Sequence, residues 1–135
     1  MTSVHRETPL VKKLTLRDGM RVWFDAMPEH IIDEIDEYAL ELVFVADPAE
    51  GMDAAHIFVT ERATLETQLQ TLRHQIAPEG QIWVSWPTAA GNLPNDIGED
   101  TIREIALPLG LFDTKLCAID DVWSGLKLVI RKELR

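Results

Sequence analysis

"RVWFDAMPEHIIDEIDEYA", residues 21–39, decides the fold. Arg21–Asp25 is a short apolar strand, and Pro28 opens a helix at the position where its missing N–H costs nothing. Ile31, Ile32, Ile35 and Tyr38 recur at steps of three and four, the apolar stripe of a helix over Pro28–Ala39. Its other face carries Glu29, Asp33, Glu34, Asp36 and Glu37. A strand that runs straight into such a helix is the repeating unit of an α/β protein. Towards the amino terminus, residues 1–20 read as an arm closed by the turn Arg17–Gly19.

Towards the carboxyl terminus, Leu40–Asp47 reads as a second strand stopped by Pro48, and Ala55–Val59 as a third strand buried on both faces. A helix over Glu61–Ala77 follows, with Thr60 as N-cap and Leu65, Leu69, Leu72 and Ile76 on one face. Pro78–Gly80 ends it, and Gln81–Trp86 is a fourth strand. A further helix starts near Asp96 or Gly98 and runs toward Leu109. The chain closes with "TKLCAI" (114–119) and "LKLVIRK" (126–132) around the connection "DDVWSG", an antiparallel hairpin whose last strand alternates in charge like a sheet edge. Right-handed crossovers put helices on both faces of a parallel sheet. The expectation is one α/β domain over residues 1–135: a three-layer, Rossmann-like sandwich with a mostly parallel five- to six-stranded sheet and a C-terminal antiparallel hairpin.

The composition fits one soluble domain: 135 residues, 46% apolar and 27% charged, with no apolar run long enough to span a membrane and no leader-like start. Its single cysteine, Cys117, excludes an intrachain disulfide and reads as a buried, reduced thiol. A net charge of −10 repels nucleic acid and anionic membrane surfaces. Basic residues cluster in "VKKLTLR" (11–17) and "LKLVIRKELR" (126–135), read as solvated strand ends that would form one patch only if the termini meet.

"DAAHIFVTERATLETQLQTLRHQIAPEGQIWVSWP" (53–87) resembles the later portion of a class I S-adenosylmethionine-dependent methyltransferase domain. Asp53 opens the stretch, and "IAPEG" (76–80) stands where that family has an "L-x-P-G-G" turn before a strand. The closing hairpin suits the same fold. A closer resemblance, on "TPLVKKLTLRDGMRV", "APEGQIWVSWP" and "IREIALPLGLFDTKLCAIDDVWSGLKLV", is to a bacterial family known only as a domain of unknown function. That resemblance implies a Rossmann-like, cytoplasmic protein and brings no activity. The family places a lysine after its "W-P" pair, and Thr88 departs from it.

The strand-to-helix junction at residues 25–29 lacks the glycines of a phosphate-binding loop. A phosphate ~5 Å from Asp25 or Glu29 would meet roughly 3 kcal/mol of repulsion at an effective dielectric of ~20. Pro28 also removes a donor, so NAD and ATP are excluded in their usual mode. S-adenosylmethionine carries no phosphate and remains the alternative, although Ala26 and Met27 are expected to fill the space glycines leave open. Asp47 would meet its ribose, against the preferred reading of a turn-forming Asp before Pro48. His30 and Glu34 share a helix face as metal ligands would, but that face reads as a solvated acidic surface. His56 reads as a core histidine and His74 as half-exposed.

Open α/β sheets bind ligands beyond the carboxyl ends of their strands. That edge is expected to gather the ligand-binding candidates Asp25, Asp47, Thr60, Trp86 and Thr88 under the loop 88–95. Asp120, Asp121, Trp123 and Ser124 form a second candidate group, in which Trp123 as a core anchor, with Asp121 and Ser124 fixing the turn, is preferred. No catalytic residue, metal ligand or resident cofactor is expected. The expected function is a non-catalytic, methyltransferase-like domain acting through a protein partner or small ligand. The alternatives are a minimal methyltransferase or other small-molecule enzyme, and a self-associating structural module.

Overall fold

The computed structural model describes residues 8–135, and its sheet has six strands. In chain order the elements are α1 (Leu10–Lys13), β1 (Arg21–Asp25), α2 (Glu29–Asp36), β2 (Val43–Phe44) and β3 (Met52–Phe58). Then come α3 (Arg62–Gln75), β4 (Ile76–Pro87), α4 (Glu99–Ala106), β5 (Leu111–Ala118) and β6 (Trp123–Ile130). The strand order is β2-β1-β3-β4-β6-β5, with the first four parallel and β6 antiparallel to both β4 and β5. The expected α/β sandwich with a closing antiparallel pair is therefore the observed one.

The core lies in two layers, one on each face of the sheet. On one side α3 and α4 bring Leu65, Leu69, Leu72, Ile102 and Ile105 against Ala55, Ile57, Ile82, Val84, Leu126 and Leu128. On the other, α1 and α2 bring Leu10, Leu14, Ile31 and Ile35 against Val22, Ala54, Phe58 and Trp83. The period of two along β3 and β4 is what divides their side chains between these layers.

Several boundaries differ from the sequence reading. Of the arm expected over residues 1–20, residues 1–7 lie outside the described residues. The rest packs into the core, because Leu10, Val11, Leu14 and Leu16 are all buried. The carbonyl of Leu14 accepts from Gln81 Nε2 (2.8 Å) and Trp83 Nε1 (3.0 Å), two buried donors on β4. α2 stops at Asp36 rather than Ala39, and Tyr38 is 43% exposed instead of completing the stripe. Asp33, Asp36 and Glu37 oppose the negative end of the helix dipole, with no basic residue in the last turn to offset them.

The second strand is two residues long, not eight: only Val43 and Phe44 pair, with Arg21 and Val22 of β1, at the outer edge of the sheet. β4 begins directly after α3, and its pairing with β3 shifts between Met52 and Ala54. A Cβ on Gly80 would lie 2.7 Å from the Asp53 carbonyl, so that irregular passage needs the glycine. The last strand is not an edge: β6 lies between β4 and β5, and β5 is the outer strand. No helix among the described residues is long and apolar enough to cross a membrane.

Candidate functional site at the carboxyl edge of the sheet

β1 hands the chain to β2 on one side, while β3 and β4 continue on the other, so the crevice between β1 and β3 is the topological switch point. At its mouth β1 ends in Asp25, and the chain turns through Ala26 at φ 56°, the left-handed region that favours glycine. Met27 does not obstruct the crevice as expected: its side chain is buried with Leu10, Ile31 and Phe58 on the α1–α2 side of the sheet. Pro28 then caps α2 with no side-chain hydrogen bond, and Glu29 is in the first turn.

The Asp25 carboxylate is engaged. Gln68 Nε2, on α3, donates to Asp25 Oδ2 at 2.8 Å and so ties the two walls of the crevice together. The buried Gln68 Oε1 meets no hydrogen-bond partner among the described residues. The sequence reading missed Gln68, since nothing in a helix of mixed polar residues marks the one that reaches back to a distant strand end.

The other candidates divide by face and by role. Asp47 Oδ1 accepts from Ala49 N at 2.9 Å, and Asp47 N donates to Glu50 Oε2, which closes a capped turn over Pro48–Glu50. Thr60 is not the N-cap of α3. That helix starts at Arg62, whose N–H is capped at 2.6 Å by Asp96 Oδ1 from the loop before α4. Trp86 is 7% exposed and packs in the α3–α4 layer with Ile97, so it is a core residue rather than a pocket wall. Thr88 N donates to Val122 O (2.7 Å), and its hydroxyl accepts from Gly91 N (3.1 Å), which caps the turn Ala89–Gly91.

In the hairpin it is Asp120, not Asp121, that fixes the turn. Its Oδ1 accepts from the N–H groups of Val122 and Trp123, both at 2.8 Å, and its Oδ2 meets His30 Nε2 at 2.8 Å. Burial alone would raise the Asp120 pKa, but His30 and the two backbone donors outweigh it and hold the carboxyl below its ordinary range. Asp121 is exposed, while Trp123 packs edge-on against Phe58 with ring centroids 5.0 Å apart.

His56 is a core residue. It stacks on Phe58 at 4.5 Å, and its Nε2 and the Ser85 hydroxyl hydrogen-bond at 2.7 Å inside the α1–α2 layer. Burial pushes its pKa down to about 3, so the ring is neutral. Cys117 is half-buried, with its thiol pKa raised by burial, and His74 is exposed.

This architecture recurs in solved structures. The CcbJ methyltransferase from Streptomyces caelestis aligns with a TM-score of 0.60 at 7% identity, over 90% of this chain and 87% of that one. The fold is that of the class I S-adenosylmethionine methyltransferases. The ribosomal protein L11 methylase from Lactobacillus delbrueckii subsp. bulgaricus gives 0.59 at 10% identity, over 90% of this chain and 75% of that one. Magnesium protoporphyrin IX methyltransferase from Synechocystis PCC 6803, whose structure holds bound SAM, gives 0.57 at 12%, over 90% and 74%. No protein-family model matches the sequence, and neither does any curated protein. At these identities the likeness is one of fold.

The switch point departs from a nucleoside-binding turn in its backbone and in its hydrogen bonds. A backbone turn that admits a nucleoside needs room at its positive-φ position and free N–H groups. Here that position carries the Ala26 methyl, Pro28 has no N–H, and the Asp25 carboxylate is bonded to Gln68. The acid beyond β2, Asp47, spends one oxygen on its own turn.

Proposed function

We propose that this chain is a methyltransferase-like domain without a catalytic role, which acts by binding a protein partner or a small ligand. One observation carries the reading: the polar groups at the carboxyl edge are committed to holding the scaffold. Asp25 holds α3, Asp47 holds the turn after β2, Thr88 caps the following loop, and Asp120 fixes the hairpin. A working cofactor site would leave such groups convergent on the ligand and satisfied only when it is bound. The alternative, a minimal methyltransferase, is favoured by one feature, the unpartnered Gln68 Oε1 beside Asp25.

Equilibrium dialysis against S-adenosylmethionine separates the two. The expected result is no saturable retention up to about 1 mM, an affinity worth only ~4 kcal/mol. Saturable binding in the micromolar range that Gln68→Leu abolishes would establish the alternative.

A further inference from the structure

The two basic stretches at the ends of the chain meet. Lys127 stands on β6 directly opposite Lys115 of β5, and α1 with the segment after it packs on the sheet face that Trp83, Lys115 and Lys127 share. Like charges paired across an antiparallel ladder destabilise it. Lys115 Nζ donates to the Lys13 carbonyl at 2.7 Å, which fixes that ammonium group against the end of α1. Among the described residues, no salt bridge within 4.0 Å ends on Lys12, Arg17, Lys115 or Lys127.

A cavity of about 510 Å³ opens at this place, lined by Lys12, Arg17 and Lys127 with Thr15, Gln81 and a single carboxylate, Glu79. Thr15 sits at φ 53°, a strained setting for a β-branched residue, and its hydroxyl donates to Gln81 Oε1 at 2.6 Å. Burial, and then repulsion from Lys115 and Arg17, lowers the Lys127 pKa. A chain of net charge −10 has carboxylates to spare, yet only Glu79 faces these cations in the cavity.

We propose that this cavity binds a small polyanion carrying phosphate groups, seated between Lys127, Arg17 and Lys12. Its volume is that of a small-molecule site, and guanidinium with ammonium is the donor set that suits phosphate oxygens. A bound anion would also screen the Lys115–Lys127 repulsion that the empty ladder carries. The site lies near the amino ends of β1 and β4, away from the carboxyl edge, and stands whether or not that edge holds a cofactor.

The test is calorimetric titration of the full chain with pyrophosphate at low ionic strength, with citrate as an organic trianion lacking phosphorus. The expected result is saturable pyrophosphate binding at least tenfold tighter than citrate. Lys127→Met should weaken it about tenfold or more, the value of one charge-assisted contact. Glu79→Gln should tighten it. Lys127→Met should also melt at or above the wild-type temperature without ligand, since it relieves the cross-strand repulsion. Should that variant fail to fold, Arg17→Gln, at an exposed position, carries the same expectation of weakened binding. Absence of pyrophosphate binding, equal binding of citrate, or undiminished binding by the folded variants would overturn the proposal.

Discussion

Ala26 stands at a turn whose geometry belongs to glycine. Its φ of 56° places the methyl against the backbone, so Ala26→Gly should stabilise the protein by about 1 kcal/mol in urea unfolding, despite glycine's greater freedom in the unfolded chain. A loss of stability would show that the methyl makes packing contacts worth more than the strain. His56 gives a second test at this scale. Its native pKa of about 3 lies below its ordinary 6.5, so in that window the unfolded chain takes up a proton that the buried ring refuses. Stability should therefore fall as pH drops from 6.5 toward 3. By pH 4.5 the contribution is about 2–3 kcal/mol, with the carboxylates adding their own effect in both proteins. His56→Gln should show a shallower decline across this window in paired denaturant titrations, and parallel curves for the two would contradict the buried neutral ring.

At the scale of elements, the pieces held by local periodicity were legible and those held from a distance were not. Leu65, Leu69 and Leu72 repeat at helical spacing and are buried as that spacing requires. The start of the same helix was misread at Thr60 because its cap, Asp96, comes from 34 residues further along the chain. Asp96→Ala should accordingly cost about 1 kcal/mol, a full capping interaction, in thermal or urea unfolding. The alternation of charge in β6 imitates an edge strand, but Lys127 faces a cavity from an interior position. The segment before β1 reads as an arm, yet Leu10, Val11 and Leu14 stand at helical spacing and α1 forms there. Leu14 is fully buried, and its carbonyl takes two buried donors. Leu14→Ala should thus cost about 2–5 kcal/mol, the range for a large-to-small change in a core. A cost below 1 kcal/mol would mean that the segment is only loosely docked.

For the whole molecule, the mostly parallel sheet, its closing antiparallel pair and the helices on both faces follow from alternation and spacing in the sequence. The strand order does not, because β6 reads as an edge and lies between β4 and β5. Nor does the candidate site, because its meaning depends on which hydrogen bonds close. Asp25, Asp47 and Thr88 have the right chemistry at the right edge, and each is bonded into the scaffold. Trp86 looked like a pocket wall only while the loop and α4 that bury it were unplaced. The molecule has the fold seen in solved methyltransferases, and on the proposed reading the junction at residues 25–29 serves as a structural joint rather than a cofactor site. The most direct measurement is a two-dimensional amide NMR titration with S-adenosylmethionine. Up to about 1 mM, the amide resonances of residues 25–31 and 58–60 should stay in place, consistent with any affinity weaker than ~4 kcal/mol. Saturable shifts confined to those residues would contradict the account.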